Sequence, residues 1–98
     1  MDLAAFTRSL ANDAPPPGLS SPLEALWWDA KGAWARAHGL IDHLETHDAM
    51  AVHAYLHRKQ GDASNAGYWY GRSTSEYRRP TLQAEGQALL EALLASAR

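Results

Sequence analysis

Apolar residues recur along most of this chain at three- and four-residue intervals, and no useful length of it alternates with period two. That pattern predicts helices and almost no strand. Leu3, Phe6 and Leu10 mark one face of a short helix over 2–11. Ala14-Pro15-Pro16-Pro17-Gly18 ends it. Consecutive prolines fix φ and remove amide donors, so a semi-rigid spacer is expected through residue 18. Ser21-Pro22-Leu23-Glu24 then reads as a helix start, with serine as cap, proline at the first helical position and glutamate at the third. This helix is expected to reach Lys31 and break at Gly32, and a second to cover about 33–45 through Trp34, Ala37, Ile41 and Leu44. Thr46 or Asp48 caps a third helix that runs to Gln60, and Asp62 caps a fourth that runs to Arg72. Residues 73–80 are polar and loop-like. Leu82, Leu89, Leu90, Leu93 and Leu94 give the last helix, about 81–97, one apolar stripe.

The two breaks are related. Lys31-Gly32 through Ala37 is echoed by Gln60-Gly61 through Ala66, so that a glycine and the alanine five residues later both recur after 29 positions. An internal echo of this length points to one helical hairpin used twice. The expected fold is all-α: two stacked antiparallel hairpins (21–45 and 47–73), a C-terminal capping helix (80–97), and a short N-terminal helix with its proline-rich spacer (1–18). All belong to one domain, as the 98-residue length implies.

In the second unit Ala54, Gly61, Ala66 and Tyr70, and in the first Ala25, Trp28, Gly32, Ala37 and Ile41, occupy the small and bulky places of a helix crossing. On these residues about half the chain resembles the tetratricopeptide repeats, although its spacing of 29 departs from that family's 34. The resemblance implies paired helices presenting Leu26, Asp29, Tyr55, Arg58 and Lys59 on a shared inner surface, and a protein or peptide partner bound there. The stretch from His53 to Asp62, with Asn65-Ala66 and Tyr68-Trp69-Tyr70, also resembles a segment of bacterial proteins without assigned function, which implies no activity.

Composition narrows the chemistry. With no cysteine, disulfides, iron–sulfur clusters and thiolate zinc sites are excluded. A formal charge of −2 supplies no field for a phosphate backbone, so no nucleic acid is expected, and Arg72, Arg78 and Arg79 read as solvated charge. No apolar run is long enough for a membrane span, and the acidic start Met1-Asp2-Leu3 is unlike a signal peptide. A bacterial cytoplasmic setting is expected.

Five histidines fall between residues 38 and 57. His53 and His57, four apart, share a helix face and can meet one metal ion. His43 and His47 straddle a predicted helix end. Zinc proteases need a glutamate directly after the first histidine, whereas Leu44 and Ala54 stand there. A third ligand is not evident, so His53 and His57 are expected to pack in the core, with no metal and no cofactor. No nucleophile elbow or glycine-rich phosphate loop is present. Among the aromatics Trp28, Trp34 and Tyr70 are expected in the core. Tyr55, Arg58 and Trp69, with Lys59 and the two histidines, form the candidate binding set. The reading is an interaction or ligand-binding module that self-associates as a homodimer. The alternative is a small enzyme or metal-binding protein built on the His53/His57 pair.

Overall fold

Most helices open where the chain offers an oxygen to cap them. The computed structural model describes residues 1–97 and contains, among them, six helices and no strand: α1 (Leu3–Ser9), α2 (Ser21–Ala30), α3 (Trp34–Ile41), α4 (His47–Gln60), α5 (Ala63–Arg72) and α6 (Leu82–Ser96). Asp2, Thr46, Asp62 and Thr81 accept the amides of Ala5, Ala49, Asn65 and Ala84 at 2.8–3.2 Å. The cap of α2 is Ser20 rather than Ser21, its Oγ 3.4 Å from the amide of Leu23. Ser20 has the extended backbone a cap needs, and Pro22 still falls in the first turn, where its missing N–H costs nothing. The predicted helix over 33–45 stops at Ile41, because residues 42–46 make the turn into α4.

The echo is structural as well. Gly32 and Gly61 both take left-handed backbone, φ +83° and +88°, which only glycine adopts without strain. The amide of Ala33 donates to Trp28 O and that of Asp62 to His57 O, each at 2.9 Å. These are the same helix-ending bond 29 residues apart. α2 therefore packs along α3, and α4 along α5. Ala37 and Ala66 are both buried.

α4 is the central element, touching α2, α3, α5 and α6. Every residue from Ala49 to His57 is buried. α6 lies across α2 and α4, and α1 packs on α6. Tyr70 is buried as expected, but Trp28 and Trp34 are only half-buried. Trp27 is the tryptophan wholly out of water. α1 accounts for this: Ser9 Oγ accepts the Trp27 indole N–H at 3.0 Å, so the short N-terminal helix satisfies the one polar atom the ring must bury. No helix among the described residues is long and apolar enough to cross a membrane.

α6 also buries a charge. Glu85 is 1% exposed, and its carboxylate accepts from the Tyr70 hydroxyl at 2.6 Å and from Arg58 Nη1 at 2.6 Å. Arg58 further donates to the carbonyls of Arg79 and Pro80. One guanidinium thus ties α4, the loop before α6 and α6 itself.

Candidate metal centre

α3 and α4 each carry a histidine in their last turn. His53 and His57 lie one turn apart on α4, and their rings stack with centroids 4.8 Å apart. His38 lies in the last turn of α3, which packs against α4. Its Nε2 comes within 3.0 Å of His53 Nε2, and its ring meets that of His57 at a centroid distance of 5.1 Å. One ring nitrogen from each of the three residues lies within 4.8 Å of the other two. His53 and His57 are buried, whereas the His38 side chain is 24% exposed.

The rings are held from behind. His57 Nδ1 is 3.2 Å from Gln60 Oε1, one turn on. His38 Nδ1 is 3.9 Å from Asp42 Oδ2, also one turn on. Asp42 itself takes a hydrogen bond from His43, which holds its carboxyl below the usual carboxylate range. Such partners fix which nitrogen of an imidazole faces the site. His53 Nδ1 is buried without a partner. Indoles form the walls: Trp34 stacks on His38 at 4.8 Å and 10°, and Trp69 on His53 at 4.1 Å and 21°. The Trp34 N–H is spent on Leu56 O at 2.8 Å, which locks that ring in place.

Burial and mutual repulsion favour the neutral form of His53 and His38. Desolvation, then the charges of His38 and His57, push His53 down to about 4 against the weaker pull of Asp42. Desolvation and His57 lower His38 likewise. At neutral pH these two imidazoles therefore offer lone pairs, the form in which histidine binds metals. Both His38 and His57 sit in the last turn of their helices, where unsatisfied carbonyls favour positive charge. Three convergent imidazole nitrogens at two negative helix ends can hold a borderline transition-metal ion.

No protein-family model matches this chain, and neither does any curated protein or solved structure.

Of the residues singled out from sequence, the structure brings His53, His57 and Trp69 together. It separates the rest from them. Tyr55 is buried beneath α6, its hydroxyl against Gly86. Arg58 is engaged by Glu85, and Lys59 pairs at 3.0 Å with the buried Asp29. The inner surface expected to be open is thus largely covered by the chain's own C-terminal helix. His43 stands exposed beside Asp42, and His47 faces Thr74 and Glu76, away from the cluster. The residue missed is His38. Its signal was available: Trp34, His38 and Ile41 share one face of α3, the face turned to α4.

Proposed function

We propose that this protein is a small helical metal-binding domain whose ligands are His38, His53 and His57. The supporting observation is the convergence of three imidazole nitrogens within 4.8 Å in a half-buried, indole-walled site. Tetrahedral Zn–N bonds of about 2.0–2.1 Å would set ligand nitrogens roughly 3.3 Å apart, so small ring movements suffice. Within the cluster one hydrogen bond, between His38 Nε2 and His53 Nε2, joins two inward nitrogens that a metal could hold instead. With a metal on the inward nitrogens, the outward N–H groups of His38 and His57 face Asp42 and Gln60, the usual outer-shell arrangement.

The test is a thermal-unfolding series on chelator-stripped protein with Zn(II), Co(II), Ni(II) and Mg(II). A site that binds only the folded state gains about 2.7 kcal/mol at a hundredfold excess over Kd. That is a rise in midpoint on the order of 10–20 °C for a domain of this size. Zn(II), Co(II) and Ni(II) should raise it and Mg(II) should not. Replacing His38, His53 or His57 by glutamine should remove the rise, and replacing exposed His43 should not. A midpoint indifferent to every ion, or a rise retained without the three histidines, would refute the proposal.

One observation favours a second reading, the protein-interaction module. Tyr68 on α5 is 58% exposed, packs edge-on against Trp69, and has the Arg72 guanidinium 5.9 Å from its ring. Aromatic and arginine side chains on one exposed face suit a protein partner or a second copy of this chain. Concentration-dependent sedimentation that Tyr68→Ser abolishes would support it; a strict monomer would count against the homodimer.

A further inference from the structure

Three histidines do not fill the coordination of any first-row divalent ion, and the residues around them do not supply the remainder. Among the described residues the cluster contains no fourth histidine, aspartate or glutamate, and the chain has no cysteine. The nearest carboxylate, Asp42, faces Nδ1 of His38 and so stands behind a ligand. Gln60 is likewise spent on the outer nitrogen of His57. The walls are the faces of Trp34 and Trp69, which donate nothing to a metal. Neutral imidazoles leave a divalent ion its full charge, in a site where burial makes that charge costly. Of the three ligands only His38 is part-exposed, at 24% of its side chain.

Resting on the metal-binding reading, we infer that the ion held by His38, His53 and His57 keeps a coordination position open to solvent, and that this position takes an exchangeable small monoanion. Charge selects the anion, because none of the three ligands is itself anionic and the nearby carboxylate of Asp42 stands behind His38 rather than on the metal. Space selects a small one. His53 and His57 are buried and the His38 side chain is only 24% exposed, so a bulky ligand would have to displace packed rings. Three protein ligands with an open position also distinguish reactive zinc sites from closed structural ones.

Wild-type protein loaded with Co(II) tests this directly, using sodium azide as the probe and sodium benzoate as a bulky carboxylate. Co(II) should give the intense visible d–d bands of a low-coordinate site. Azide should then change these bands along a saturable single-site curve, and benzoate should bind more weakly. If Co(II) gives those bands and azide leaves them unchanged, the position is closed and this inference falls while the metal reading stands. If Co(II) gives no protein-dependent bands, both fall. Equal binding of benzoate and azide would overturn the selection for small ligands.

Discussion

The seat of α6 on α4 can be tested at a single hydrogen atom. A Cβ on Gly86 would lie 2.7 Å from the Tyr55 hydroxyl oxygen, 3.1 Å from Cζ and 3.4 Å from Cε1. Glycine to alanine within a helix ordinarily gains about 1 kcal/mol. Overpacking against a buried ring costs about 1–3 kcal/mol. Tyr55 is buried, so its ring has little room to retreat. The clash should win, and Gly86→Ala should destabilise by about 1 kcal/mol, the difference of these two effects. Gly39, Gly67 and Gly71 provide the contrast: they are exposed, and a Cβ there meets no atom within 4 Å. Each should stabilise by about 0.5–1 kcal/mol as alanine. Tyr55→Phe removes the nearest atom and leaves the 3.1 Å approach to Cζ, which shifts of a few tenths of an ångström relieve. In that background Gly86→Ala should turn close to neutral, a coupling of about 1 kcal/mol in a double-mutant cycle. Urea unfolding followed by circular dichroism resolves this. If Gly86→Ala stabilises as much as Gly67→Ala, α6 does not rest on Tyr55. The inner surface of the hairpins would then be open, and a peptide partner there would become the better reading.

Four further outcomes follow from the same contacts. Glu85→Gln should cost about 2–4 kcal/mol in chemical denaturation, since it strips a buried guanidinium partner and weakens the Tyr70 bond; a loss below about 0.5 kcal/mol, the range of ordinary surface changes, would contradict the buried network. Ala37→Leu and Ala66→Leu should each destabilise by about 1–3 kcal/mol, because both alanines sit at equivalent buried crossings; an unchanged thermal midpoint would remove that equivalence. Stability of the metal-free protein should be full above the unfolded histidine value of about 6.5 and fall towards pH 4, because the unfolded chain takes up the proton that folded His53 refuses until about 4. The fall attributable to His53 is roughly 3 kcal/mol, and His53→Gln should flatten it; an equally steep decline in that variant would contradict the assignment. At the alkaline end burial pushes Tyr55 up to about 12 and Tyr70 higher still, so stability should hold to about pH 10 and fall above it, and Tyr55→Phe should lessen the fall.

The helices were legible because their signals are local. Caps, prolines and the left-handed Gly32 and Gly61 act within a turn or two, and the 29-residue echo marked both hairpin turns. The errors lie where tertiary contacts decide. Pro22 falls in the first turn whether Ser20 or Ser21 is the cap, so local pattern left the choice open. Trp27 is buried instead of Trp28 because Ser9, eighteen residues earlier, accepts its indole N–H. The inner surface was read as open because an apolar stripe such as that of α6 states that the helix is covered, not what it covers. The His53/His57 pair was visible as an i, i+4 pattern. The third imidazole comes from another helix: the shared face of Trp34, His38 and Ile41 marked His38 as turned inward, but only the packing of α3 on α4 makes the pair a triad.

Two features treated separately above are one mechanical unit. Arg58 follows His57 on α4, and Tyr70 follows Trp69 on α5. Glu85 holds both Arg58 and Tyr70 through short hydrogen bonds from α6. The buried carboxylate therefore fixes the α4–α5 pair one residue away from the imidazole and from the indole that frame the site. An ionised carboxylate in this position costs desolvation that an apolar residue would not, which makes it weak evidence for stability alone. Its geometry supplies something else. A shift of α4 against α5 would disturb these bonds, so the stack of Trp69 on His53 is supported through α6. On the metal-binding proposal this support steadies the two α4 donors, because metal ligands have to be held close to their bonding geometry.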